Sequence, residues 1–311
     1  MEWKNDILGM PFEAATVDHT DGTRCTVIRL RHATQSEAGI LYIHGYSDYF
    51  FQREMAMEFY NAGYDFYAVD LRRYGRSLRK GEKMFAVDSD LSEYFADIRS
   101  GIQAMLADGT RRIALMGHST GGLTAALYMA TGNPAPEITR LVLNSPFLAW
   151  NLPPLTRQAA IPAVSLLGRW FPHMPVRQRP DASYARSLAK RHGGEWDYNR
   201  DWKPDVLPDP EAAWVRAIER GQRRLMRHAD DVTVPVLLLH SDSTARKGDP
   251  AEKFKRADAI LDVDLLAARG RRLGRQVTEV TVSGGLHDLS LSARPVREFF
   301  YRVVIDWLKT L

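Results

Sequence analysis

The run Gly117-His118-Ser119-Thr120-Gly121 sets one serine between two glycines, each two residues away. A serine hydroxyl is a poor nucleophile at neutral pH and becomes an effective one when a base takes its proton and a third group orients that base. The run stands where an apolar stretch, Ile113 to Met116, gives way to the helix-like Leu123 to Met129. A strand–turn–helix follows, in which the glycines relieve the crowding of a sharp turn and the hydroxyl of Ser119 projects from it. The competing reading is a glycine-rich turn with Ser119 as an ordinary helix cap.

A histidine is the natural base. Of those after Ser119, His173, His192 and His228 fall in or near an irregular segment, His240 ends an apolar run, and His287 follows the last strand-like segment. Reaction centres of open parallel sheets collect beyond the carboxyl ends of the strands, so His287 is the expected base. The oxyanion of an acyl-transfer step needs donors already in place. The N–H of Thr120, next after the nucleophile, is one. The strand-ending His44-Gly45-Tyr46 supplies the other through the N–H of Tyr46. His240, Asp242 and His287 as metal ligands is a weaker alternative, because close ligand spacing is missing. No metal or cofactor is expected.

The elements that must position these groups alternate. Strand-like segments at 39–45, 65–70, 112–117 and 140–146 are separated by helices near 52–62, near 91–107 and from 121. This is the rhythm of a parallel sheet with crossover helices. It stops at Trp150 and returns at 235–242, followed by a helix, a strand at 276–285 and a closing helix near 295–310. Nine of the 16 prolines and five of the 7 tryptophans lie between 150 and 214, which suits an aromatic, irregular cap. The expected division is a core of 1–149 and 231–311 with a cap of 150–230. Trp150, Trp170 and Trp214 are the candidates to line an apolar cleft over Ser119.

The chain of 311 residues is 45% hydrophobic and 26% charged, which excludes a disordered class and allows a large core. No apolar run approaches a membrane-spanning length. The single cysteine, Cys25, excludes an internal disulfide, and the opening residues lack the order of a secretory signal, so a cytoplasmic location is expected. A net charge of +4 is too mild to imply nucleic acid. Arginines 216, 220, 223, 224 and 227 fall opposite Trp214, Ile218 and Leu225 on one helix, which makes weak attraction to an anionic lipid surface the corollary.

His44-Gly45-Tyr46, the run Asp70 to Ser77, the elbow Gly117 to Gly122 and Gly285-Leu286-His287-Asp288 together resemble the α/β-hydrolase superfamily. The similarity is to its branch of monoacylglycerol lipases, lysophospholipases and serine aminopeptidases, and it spans nearly the whole chain. Arg73 stands where that family usually has glycine. The resemblance implies an α/β-hydrolase fold, a mostly parallel sheet flanked by helices with an inserted helical cap. It implies a cofactor-independent serine hydrolase that cleaves a small-molecule ester or monoacyl lipid through an acyl-enzyme, and the aromatic residues of the expected cap add a preference for a medium or long acyl or aromatic group. Amide or peptide cleavage by the same groups, or a non-catalytic binding protein of the same fold, are the alternatives.

The family order of nucleophile, acid and histidine places the carboxylate between Ser119 and His287, usually just after the strand at 235–242. Here Ser241-Asp242-Ser243-Thr244 departs from the usual spacing, and a charged stretch intervenes before Asp258. Asp258, ahead of Ile260 and Leu261, is the preferred, displaced acid. Asp242 is second, and Asp249, Asp262 and Asp264 are the remaining candidates.

Overall fold

The computed structural model describes residues 1–34, 36–88, 90–177 and 182–310. Its strands are β1 (Lys4–Asn5), β2 (Glu13–Asp18), β3 (Arg24–Leu30), β4 (Ala38–Ile43), β5 (Asp65–Asp70), β6 (Arg112–His118), β7 (Ile138–Asn144), β8 (Val236–Ser241) and β9 (Val277–Val282). They form one sheet in the order β1-β2-β3-β5-β4-β6-β7-β8-β9. The pairs from β5 through β9 are parallel, whereas β1 to β3 join antiparallel and extend the sheet beyond the strands expected from the sequence.

The central strands are buried on both faces, as parallel strands covered by helices must be. Alternate residues face opposite layers. Ile40 and Tyr42 of β4 pack with Phe59 of α1 (Arg53–Asn61) and Phe300 of α8 (Arg294–Lys309). Leu41 and Ile43 turn to the other face, toward Ile98 of α2 (Phe95–Ala107), Leu123 of α3 (Thr120–Thr131) and Leu266 of α7 (Val263–Gly270). This is the mostly parallel sheet with flanking helices that the sequence pattern implies.

Between β7 and β8 the chain leaves the sheet for α4 (Ile161–Leu167), α5 (Ser183–Leu188) and α6 (Ala212–Arg227). α6 packs on both α4 and α3. It buries Trp214, Ile218 and Leu225 and turns Arg220, Arg223 and Arg227 to solvent, with Arg216 and Arg224 half-buried. Residues 178–181 of the expected cap, and 35, 89 and 311 of the expected core, lie outside the described residues.

Candidate active site

Ser119 joins β6 to α3 with φ 53° and ψ −120°, a left-handed conformation that side-chain-bearing residues rarely adopt. Its neighbours must be small. A Cβ on Gly117 would stand 2.6 Å from the Gly121 carbonyl oxygen, and one on Gly121 would stand 2.2 Å from that of His44. The turn therefore closes only with glycine at both places. Arg73, where the related family has glycine, also has positive φ, 66°, and its guanidinium donates to the Ala86 carbonyl at 3.1 Å.

The hydroxyl does not project into the open. Ser119 is 6% exposed, His287 4% and Asp258 0%. The expectation of an outward-pointing hydroxyl is corrected by what covers it: Gly45 lies against Ser119, and the ring of Tyr184 on α5 stands edge-on to His287 at 5.8 Å. Within this enclosure Nε2 of His287 is 2.9 Å from Oγ of Ser119, and Nδ1 is 2.9 Å from Oδ2 of Asp258. The other oxygen, Oδ1 of Asp258, accepts the N–H groups of Ile260 and Leu261, both at 2.8 Å. Those donors fix the carboxylate plane, so Oδ2 is left for the imidazole.

The other carboxylates are engaged elsewhere. Asp242 accepts from Ser283 Oγ at 2.9 Å and Gly284 N at 3.2 Å, which ties the end of β8 to the turn after β9. Asp249 accepts the Arg246 N–H and pairs with Lys253, and Asp262 caps α7 by accepting from Leu265 N. Asp264 lies in the first turn of that helix. His240 faces Glu279 at 3.2 Å, so His240, Asp242 and His287 do not gather into a metal-ligand set.

Among the described residues, the N–H groups of Thr120 and Tyr46 have no acceptor in the protein. The first belongs to the free N–H groups that open any helix. Tyr46 anchors an aromatic cluster: Trp214 packs against it at a tilt, 4.5 Å between ring centres, Phe85 meets it edge-on at 5.4 Å, and Trp150 meets Trp214 edge-on at 5.8 Å. Phe147 touches Trp150 at 4.8 Å and donates its N–H to the Ser119 carbonyl at 2.8 Å. Trp170 is not brought to this cluster. It lies in the turn after α4, 59% exposed, with Arg169 over its ring, because α4 ends before it and leaves it facing solvent. Trp196 and Trp202 pack instead with Phe51 and Tyr49 of the loop between β4 and α1.

A second polar network, not anticipated from the sequence, adjoins the first. The ring of His118 is 4.8 Å from that of His287, and its Nδ1 donates to the Asn144 carbonyl at 3.2 Å. Burial holds the His118 imidazole below the ordinary histidine pKa, against the pull of the Asp288 carboxylate. Burial alone would raise Asp288, but His118 and hydrogen bonds from Ser290, Asn144 and Gln52 hold it below the usual carboxylate range. Asp48 completes the group and is paired at 2.8 Å with Lys203, from the segment between β7 and β8. Ligand atoms of Asp48, His118 and Asp288 lie within 4.8 Å of one another, as a cation site would require. Both carboxylates, however, are already satisfied by protein donors. Asp288 adjoins His287 in sequence and was findable on that ground, whereas Lys203 carries no such signal.

Residues 34–253 match the family described as serine aminopeptidase, S33. That span holds the elbow and the Tyr46 loop and covers well over half of the chain. The chain belongs to the serine aminopeptidase S33 family of hydrolases. The match ends before Asp258 and His287, so for those two residues the geometry stands by itself. Within the wider sequence record, this S33 hydrolase is 26% identical over 249 residues to a probable lysophospholipase L2 of Haemophilus influenzae, covering 74% of this chain and 77% of that one. Its fold is similar to monoacylglycerol lipase of Paleococcus ferrophilus, with TM-score 0.65 and 20% identity over 91% of this chain and 98% of that one. It is also similar to a soluble variant of monoglyceride lipase from Saccharomyces cerevisiae, with TM-score 0.66 and 16% identity over 94% and 93%. The α/β-hydrolase architecture is thereby shown. No described helix of this S33 hydrolase is long and apolar enough to cross a membrane.

Proposed function

We propose that the chain hydrolyses carboxylic esters through an acyl-enzyme on Ser119. The observation that carries this reading is the unbroken and largely buried hydrogen-bond chain from Asp258 through His287 to Ser119, 2.9 Å at each step. His287 Nε2 takes the hydroxyl proton as Oγ attacks the ester carbonyl, and Asp258 holds Nδ1–H and stabilises the imidazolium. The oxyanion that forms is received by the N–H groups of Thr120 and Tyr46. The tetrahedral species collapses as His287 returns the proton to the departing alcohol. Water, activated by the same imidazole, then releases the acid and regenerates Ser119.

In this reading the cap is 150–230 on a core of 1–149 and 231–311. The cluster of Trp150, Trp214 and Phe147 beside Tyr46 supports an apolar acyl site, so medium or long acyl or aromatic esters are the preferred class. The lysophospholipase and monoacylglycerol lipase relatives support a monoacyl lipid as the natural form of such an ester. An ester is favoured over an amide because its alcohol leaves without the stronger protonation an amine needs. Weak contact with an anionic lipid surface through the arginine face of α6, and a cytoplasmic location, are part of the same proposal. The test is kcat/KM for p-nitrophenyl esters from acetate to laurate, below the aggregation concentration of the longest. A rise through the medium chains is expected. A steep fall beyond acetate would contradict the acyl site.

A further inference from the structure

Two grooves run along the flanks of α6, and Ser119, His287 and Asp258 line neither. The first, of about 400 Å³, is bordered by Arg157, Arg223, Arg227, Arg269 and Arg272 and by a single carboxylate, Glu219. That carboxylate is committed: Oε2 accepts from Ser165 Oγ at 3.1 Å, and Oε1 pairs with Arg223 at 3.1 Å. Among the described residues, Arg157, Arg227, Arg269 and Arg272 have no carboxylate within ion-pair distance. The second groove, of about 540 Å³, shares Arg223 and Arg227 and adds Arg216, Arg220 and Arg224.

Converging guanidiniums repel one another, and the cost grows where water is excluded. Arg269 shows it. Burial, and then Arg157 and Arg272 beside it, pull its pKa below the ordinary arginine value. Such an arrangement is relieved by an anion that brings more than one negative charge. The planar guanidinium fork matches a tetrahedral oxyanion, each arginine taking two oxygens. A planar monocarboxylate has too few oxygens for arginines that reach it from α6, from the segment before α4 and from the region of α7. Trp150, Ile161 and Met226 also line the groove, so the anion has an apolar surface on which to lay an organic part. The volume is within the range of small-molecule sites.

We propose that the groove between α6, Arg157 and the Arg269–Arg272 segment binds a phosphate monoester carrying an apolar or aromatic portion. The site is separate from the triad and does not depend on the ester-hydrolase reading. Its ligand is either a soluble phosphate or the phosphate of a lipid headgroup, and the two are told apart by the probe.

The experiment titrates the full chain with phenyl phosphate by calorimetry, with benzoate as the carboxylate control. In parallel it measures co-sedimentation with phosphatidylcholine vesicles with and without phosphatidic acid. Arg269→Gln/Arg272→Gln is compared with Arg157→Gln/Arg227→Gln and with Arg294→Gln/Arg302→Gln, a pair on α8 that removes the same charge. Thermal unfolding of each variant establishes that it folds, and two groove pairs are used because Arg269 also holds the Leu148 carbonyl. Phenyl phosphate is expected to bind about tenfold more tightly than benzoate, and each groove pair to weaken it at least about tenfold, the α8 pair leaving it unchanged. The same dependence seen only on phosphatidic acid vesicles supports the site with a lipid source. No binding in either arm, equal affinity for benzoate, or equal loss in the α8 pair overturns the proposal.

Discussion

The backbone N–H of Asp258 donates to the carbonyl of Ser243 at 2.9 Å, and the Asp258 carbonyl accepts from Ala245 N at 2.7 Å. This bridge closes the charged segment between them into an outward loop. It returns Asp258 to the end of β8, beside His287, while the carboxylate of Asp242 is drawn to Ser283 and Gly284.

Asp258→Asn is therefore expected to lower kcat by about 10⁴, because the amide cannot hold the imidazole in its reactive tautomer. Asp242→Asn keeps the triad and is expected to cost less than about tenfold. Turnover of p-nitrophenyl butyrate by both variants, each shown folded by circular dichroism, measures the difference. Small losses of equal size would move the acid elsewhere.

How much of this could be read from residues alone differs from place to place. The elbow was legible because strand, glycines and helix share one local pattern, and His287 because it follows a strand. Asp258 could be preferred over Asp242 but its place beside His287 could not be read, since sequence spacing does not report where a loop returns. Trp150 and Trp214 gather beside Tyr46, but Trp170, of the same type in the same segment, faces solvent. Composition says that a cap is aromatic and not which ring points inward. The antiparallel β1 to β3 escaped the parallel-sheet rhythm, and the Asp48–Lys203 pair joins residues far apart in the chain.

Trp214→Ala removes the ring packed against Tyr46. Each methylene that loses its apolar wall forfeits up to roughly 0.8 kcal/mol of transition-state binding. The ratio of kcat/KM for decanoate to that for butyrate is expected to fall several-fold, with butyrate hydrolysis less affected. A ratio identical to that of the wild type would remove Trp214 from the acyl site.

Lys203→Met leaves the Asp48 carboxylate, 3% exposed at its side chain, without its cation. Breaking such a buried pair from one side costs about 3–5 kcal/mol. Lys203→Met/Asp48→Asn is expected to recover most of it. Urea unfolding of the two single variants and the double variant supplies the cycle, and additive losses would show that the pair is not coupled.

Burial, with Asp88 adding to it, pushes Glu93 up to about 7 from its ordinary 4.5. Between those values the folded chain keeps a proton that the unfolded chain has released, so stability falls as pH rises through that window. Glu93→Gln removes the titration and is expected to be more stable than the wild type above pH 7 by up to about 3 kcal/mol relative to pH 4.5. Unfolding midpoints of both proteins across this range decide it, and parallel curves would contradict it.

The central claim is that Ser119 is the nucleophile, and the most direct measurement is covalent labelling by a fluorophosphonate, followed by mass mapping of the modified peptide. The wild type is expected to take one label on Ser119, Ser119→Ala none, and His287→Ala to label far more slowly. Undiminished labelling of Ser119→Ala, or a label mapped to another residue, would contradict the mechanism.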